Sequence, residues 1–287
     1  MQRFTPMILA CVLSTATATA QTNPTSLWQF TEGLAQPESV LPLPDAAGYL
    51  ISNIAGDPGQ ADGEGYLTRL NADGSLDTLR WVDGLDAPKG MAFSNGQIVV
   101  ADIKRIHVID ASNGKLLKTH VVDEAVFLND VTATNDGRVF ISDMMTGVIH
   151  QLHDDRVTAW FHDAQIPHPN GLAIQGDALL IGNWGTGLQK DFSTSEPGAL
   201  YAVNLETATL LPEATVRNIG NIDGVVTAGN DVIISDWISG KIIRIRDGQA
   251  QTLWTLETGS ADIGLAGRTL LVPKMMVNRV DVYSLED

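Results

Sequence analysis

The chain has 287 residues, of which 44% are apolar and 6% aromatic, enough for a sizeable core. Its 18 Lys and Arg stand against 34 Asp and Glu, a net charge of −16. That balance excludes tracking along a phosphate backbone, which needs a basic face, and it suits a soluble protein whose surface draws cations.

The first stretch reads "MQRFTPMILACVLSTATATAQ". One Arg precedes a short apolar run at residues 7–13, and small residues follow up to Ala20. This pattern predicts a secretory signal over residues 1–20, leaving one domain over residues 21–287. The run is too short to cross a bilayer. Export would deliver the domain to the periplasm or the extracellular space, with no other membrane attachment. Cys11, the single cysteine, falls in the leader, so the mature chain has no thiol to form a disulfide, attack a substrate or ligate a metal.

A short apolar segment, "SLWQF" at residues 26–30, comes next, and then one pattern repeats six times. The units begin "QPESVLPLPDAAGYLISNIAG", "APKGMAFSNGQIVVADIK", "FLNDVTATNDGRVFISDMMTG", "HPNGLAIQGDALLIGNWGTG", "NIDGVVTAGNDVIISDWISG" and "SADIGLAGRTLLVPKMMVNR". In each, a polar residue leads an apolar segment, and a turn and a β-branched strand ending on a small residue with Asp or Asn follow. A period of about 40–50 residues with several strands per unit predicts an all-β, six-bladed β-propeller with four-stranded blades. The fifth unit predicts strands over 224–228, 232–236, 241–246 and 251–256. The sixth has room for three, so residues 26–30 are expected to supply its fourth strand and close the ring by pairing the two terminal segments. Residues 186–197, polar and rich in turn formers, read as a surface loop at one mouth of the channel.

Aligned on the repeat, the leading polar residues are Glu38, Lys89, Asn129, Asn170, Asp223 and Asp262. At the start of each innermost strand they would converge on the axis. Three carboxylates and two amide oxygens facing one point call for a counterion, because an uncompensated buried charge is costly. A hard divalent cation held by oxygen suits the set, calcium first, with zinc, magnesium or manganese as alternatives. Lys89 either pairs with a ring carboxylate or holds a substrate anion. A second series, Asn53, Asp102, Asp143, Asn183 and Asp236, closes the second strand of each unit and is expected to bond amides of the following turn. Trp184 and Trp237 follow two members of that series and either line the mouth or pack between blades; Met144, Met145, Met275 and Met276 sit in the same turn region and either form an apolar rim or pack in the core. Asp130 is an acceptor behind the ring or a turn residue. His168, between two prolines, is either a proton relay or a loop residue. No GxSxG elbow and no phosphate loop occur.

The pieces "QPESV", "FLNDV", "HPNGLA" and "NIDGVV", in this order, resemble the motifs of the senescence-marker-protein/gluconolactonase/luciferin-regenerating-enzyme-like family, six-bladed propeller hydrolases related to diisopropyl fluorophosphatase and, more distantly, to paraoxonases. The resemblance runs from Gln36 to the C-terminus. It implies that Glu38, Asn129, Asn170 and Asp223 hold a catalytic divalent ion. It also implies that the enzyme hydrolyses a lactone or related ester, with the ion polarising the carbonyl and Asp223 serving as general base or nucleophile beside Asn170. Lys89, Phe127, His168 and Asp262 would then face a small-molecule substrate. Sugar-lactonase members carry an Arg where this chain has Phe127, which argues for a more apolar pocket. The alternative is a non-catalytic propeller that binds a small ligand or a protein around a structural cation.

Overall fold

The computed structural model describes residues 24–285; the expected signal segment and Cys11 lie outside them. Short β-branched and apolar runs separated by tight turns leave almost no room for helix, and the chain forms six antiparallel sheets arranged as a six-bladed β-propeller. Among the described residues no helix is long and apolar enough to cross a membrane.

Blade 1 comprises Pro37–Pro42, Tyr49–Asn53, Gly65–Leu70 and Leu76–Leu85, and blade 2 comprises Pro88–Ser94, Gln97–Asp102, Arg105–Asp110 and Leu116–Val121. Blade 3 is Leu128–Ala133, Val139–Asp143, Val148–His153 and Arg156–His162. Blade 4 is Pro169–Gln175, Ala178–Asn183, Glu196–Asn204 and Val216–Gly220, and blade 5 is Ile222–Ala228, Asp231–Asp236, Lys241–Arg246 and Gln249–Thr255. The turn at Asp247–Gly248 has positive φ at both residues (50° and 72°), the backbone of a two-residue hairpin that keeps the strand twist.

Blade 6 contains Gly264–Ala266, Thr269–Lys274 and Arg279–Ser284, and its fourth strand is Trp28–Phe30. Trp28 pairs with Val282 and Phe30 with Val280, antiparallel, so the two ends of the chain close the ring as expected. The expected surface loop at 186–197 is more ordered than its composition suggests. Gly185 and Thr186 pair with Pro197 and Glu196, making a hairpin on blade 4.

Blades packed face to face bury both surfaces of their sheets, so the strands are apolar on both sides rather than alternating. The core is therefore divided into layers between successive blades. Val99, Ile106 and Val108 of blade 2 meet Val131 and Ile141 of blade 3, and Ile233 and Ile242 of blade 5 meet Leu270 and Val272 of blade 6.

One irregularity positions the site. In five innermost strands the pairing register breaks over the same two residues: between Pro37 and Val40, Pro88 and Met91, Leu128 and Val131, Pro169 and Leu172, and Ile222 and Val225. Each break is a β-bulge, which re-aims a side chain and frees a backbone N–H from the ladder. In blades 1, 3 and 5 a serine on the neighbouring strand satisfies that N–H. Ser39 donates to Ser52 Oγ (2.9 Å), Asp130 to Ser142 Oγ (2.9 Å) and Gly224 to Ser235 Oγ (2.8 Å).

Candidate functional site

The first residue of each bulge is Glu38, Lys89, Asn129, Asn170 or Asp223. All five are buried, and all five line a single cavity of about 190 Å³ on the propeller axis. The expected convergence therefore holds for five of the six ring positions.

The sixth differs. Asp262 N donates to Glu38 O (2.9 Å), and Asp262 bridges to Ser39, so Asp262 stands level with Ser39 rather than Glu38. The alignment of the sixth unit slips by one residue, and one residue along a strand turns a side chain to the opposite side. Asp262 accepts from Ser39 Oγ (2.6 Å) and, with Asp130, lines a separate opening of about 400 Å³ at the other end of the axis. It is therefore not placed to touch a substrate in the first cavity. Asp130 is an acceptor behind the ring: Val131 N (2.6 Å) and Leu172 N (2.5 Å) donate to it.

Within the ring, Asn170 Nδ2 donates to Asp223 Oδ1 (2.7 Å), which orients both side chains. Asn129 Nδ2 points at Met144 Sδ (3.9 Å). Glu38 Oε2 and Asn170 Oδ1 are buried, and neither has a hydrogen-bond partner among the described residues. Burial, followed by the charges of Asp223 and Asp262, pushes the Glu38 carboxyl well above its ordinary range. Burial and then the charge of Asp262 push Asp223 up to about 8, against the Asn170 hydrogen bond. Glu38 Oε2 and Asn170 Oδ1 are thus acceptors without donors, and Asp223 has the single donor Asn170 Nδ2.

Lys89 does not resolve this deficit by ion pairing. Its ammonium donates to the Pro58 and Ala87 carbonyls (3.0 and 2.9 Å) and lies 4.5 Å from the centre of the Phe127 ring. Burial pulls it down to about 8, opposed by the charges of Glu38 and Asp102.

A cation fits these donors. Two carboxylates and two amide oxygens are hard ligands of the calcium type. Glu38, Asn129, Asn170 and Asp223 include neither the imidazole nor the thiolate that marks a zinc site, and among the described residues no group of three His, Cys, Asp or Glu side chains stands together.

Above this polar floor the wall is apolar. Ile54, Pro58, Phe127, Met144, Trp184, Phe192, Trp237 and Met275 line it, with Asp191 at the rim. Trp184, Trp237, Met144 and Met275 thus face the cavity, whereas Met145 and Met276 do not line it and Met276 is exposed. His168 does not line it. Its Nδ1 sits 3.0 Å from Met144 O and its N–H donates to Asn183 Oδ1, so it buttresses a wall residue from behind.

The second polar series works differently from the expectation. Asp143 and Asp236 do cap the following turn, through Met145 N and Thr146 N, and through Ile238 N and Ser239 N. Most of the other bonds run backwards, to the segment leading into the innermost strand of the same blade. Asn53 accepts from Ala35 N, Asp102 from Asp86 N and Ala87 N, Asp143 from Val126 N and Phe127 N, and Asn183 from His168 N. Each donor lies two or three residues before a ring residue, so this outer series fixes where the ring residues begin.

The sequence does not single out Ile54, Pro58, Asp191 or Phe192. The one legible signal was Phe192, the lone aromatic in the polar stretch "TGLQKDFSTSEP".

No family model matches the chain, and no curated protein matches it in sequence. Solved structures do match. A catalytically inactive virginiamycin B lyase from Staphylococcus aureus, bound to quinupristin, is 14% identical with a TM-score of 0.61, over 90% of this chain and 98% of that one. The nidogen/laminin complex gives 15% identity and a TM-score of 0.60, over 76% of this chain and 80% of that one. The Pan2 WD40 domain of Neurospora crassa gives 11% and 0.58, over 94% and 97%. At these identities the likeness is one of fold, reaching both an enzyme and propellers of other kinds; the chain is a six-bladed β-propeller, and the motif resemblance to the senescence-marker and gluconolactonase family stands on its motifs alone.

Proposed function

We propose that this protein is an exported hydrolase of a lactone or related ester that depends on a divalent cation, calcium in the first place. The observation that carries the reading is the pair of buried, partnerless acceptors, Glu38 Oε2 and Asn170 Oδ1, beside the raised carboxyls of Glu38 and Asp223 at the floor of an apolar cavity. Glu38, Asn129, Asn170 and Asp223 would hold the ion, which when bound supplies a Lewis acid for a substrate carbonyl.

The chain's own groups do the remaining work. Asn170 Nδ2 holds Asp223 Oδ1, leaving Oδ2 to receive the proton of an attacking water. The aromatic wall keeps bulk water away and strengthens every charge interaction inside. Lys89 lines the cavity and adds a positive charge beside the floor while it holds its proton, below about pH 8.

Chelation should abolish turnover of a lactone and ester panel, and added calcium should restore it. Asp223→Asn should fold but hydrolyse roughly 10²–10⁴-fold more slowly. Turnover that survives both treatments overturns the reading. A propeller that only binds a ligand around a structural cation is the second reading, favoured by the apolar wall. It predicts a calcium-dependent melting temperature with no hydrolysis of any panel member.

A further inference from the structure

The hairpin on blade 4 carries a strained residue. Phe192 has φ of +63°, a left-handed backbone that is unfavourable for a bulky side chain. Two bonds hold it there: Phe192 N donates to Gln189 O (3.0 Å), and Trp184 Nε1 donates to Phe192 O (2.8 Å). The result is a ring brought to 6.3 Å from the ring of Phe127, both facing the cavity. Strain of this kind collects at ligand clamps, where surrounding structure over-determines an unfavourable backbone.

The wall beneath the clamp has little to offer a hydroxylated ligand. Its polar side chains are the ring residues at the floor and Asp191 at the rim; between them stand aromatic, aliphatic and methionine side chains. A sugar body would press its hydroxyls against these faces unpaired, and each buried hydroxyl without a partner weakens binding. Size sets a second bound. The cavity of about 190 Å³ is below the roughly 300–1,000 Å³ of sites for drug-sized ligands.

We propose that the site selects lactones or esters whose body is a single apolar ring or a short acyl chain, and that Phe127 and Phe192 are the residues that impose this choice. The inference rests on the hydrolase reading above for its chemistry, and on the clamp and the wall for its selectivity.

The test uses the full chain with added calcium and has a catalytic and a binding arm. Hydrolysis of dihydrocoumarin is compared with that of glucono-1,5-lactone. Binding of the corresponding lactams, which resist hydrolysis, is followed by quenching of tryptophan fluorescence, since Trp184 and Trp237 face the cavity. Dihydrocoumarin should be preferred at least tenfold in kcat/KM, and only its lactam should bind. Phe192→Gly accepts the left-handed backbone, so its melting temperature should hold or rise, whereas KM for dihydrocoumarin and Kd for its lactam should rise roughly tenfold. Phe127→Arg should show the same loss for the apolar pair. Preference for the sugar lactone, no binding of the apolar lactam, or apolar binding untouched in both variants would overturn the proposal. Phe-dependent binding of the apolar lactam without hydrolysis of any lactone would uphold the selectivity and sink the hydrolase reading instead.

Discussion

Asp143 and Asp223 are both buried carboxylates at strand ends near the axis, and their surroundings could hardly differ more. Asp143 accepts from four backbone amides, those of Val126, Phe127, Met145 and Thr146. Asp223 receives one donor, Asn170 Nδ2, and faces other acceptors across a cavity. Each belongs to a set that runs around the propeller, one circle outside the other. The outer set has its hydrogen bonds supplied by the chain, and it fixes the backbone. The inner set is left short of donors, and burial raises its carboxyls. Residue type and depth do not separate scaffold from site here; the supply of partners does.

The comparison can be broken most directly by removing one member of each set. Asp143→Ala would strand four amides and should lower stability by about 3–4 kcal/mol, read from urea unfolding. Asp223→Asn removes a carboxyl whose ionisation the calcium-free fold opposes, and in chelator it should leave stability unchanged or raise it. Equal losses in the two variants would erase the distinction.

Asp223 of the inner set and Asp102 of the outer set should also respond to pH with opposite signs. In calcium-free protein Asp223 titrates near 8 when folded and near 4 when unfolded, so the folded state holds the extra proton between those values. Its contribution is complete below about pH 4 and drains by up to about 1.4 kcal/mol per pH unit as the pH climbs toward 8. Glu38, also raised, acts in the same direction. Asp102 behaves in reverse. Burial alone would raise it, but His107 and the amides of Asp86 and Ala87 outweigh burial and hold it low. Its contribution is present above the unfolded carboxyl range and disappears as the pH falls through the folded value. Unfolding measured across pH 4–8 in chelator should therefore show a loss on the alkaline side, and calcium should abolish it. A curve that calcium leaves unaltered would detach the inner set from any cation.

The smallest effect concerns the hairpin. Trp184→Phe deletes the indole N–H that holds Phe192 O and should cost about 1 kcal/mol. Protease should then cut within residues 187–195 faster than in the parent chain.

Much of this was legible in the sequence because the repeat is long and the polar residue heads each unit. Glu38, Asn129, Asn170 and Asp223 needed only their spacing to be placed on one axis. Asp262 was misplaced because the sixth unit, "SADIGLAG", offers a carboxylate one residue later than the bulge position, and pattern matching follows the charge rather than the pairing. The partners of the outer set were partly misassigned for a different reason. Composition suggests local turn capping, whereas Asp102 bonds residues 15 and 16 positions earlier, a distance that only the closed blade brings together. Phe192 stood out only as a lone aromatic and could not be placed on the wall, because its position depends on a two-pair ladder, Gly185 with Pro197 and Thr186 with Glu196, formed within a stretch whose composition reads as loop.

Blade 6 borrows its outermost strand, Trp28–Phe30, from the opposite end of the chain. During synthesis that strand emerges before the other blades and must wait for a partner, Val280–Val282, about 250 residues further along. Five blades can therefore assemble in order while the circle stays open, and the final latch forms only through the longest-range strand pairing among the described residues, the type that contributes most to slow folding. The nascent protein carries an unsealed seam for most of its making, and that seam is where thermal opening of the finished ring should start.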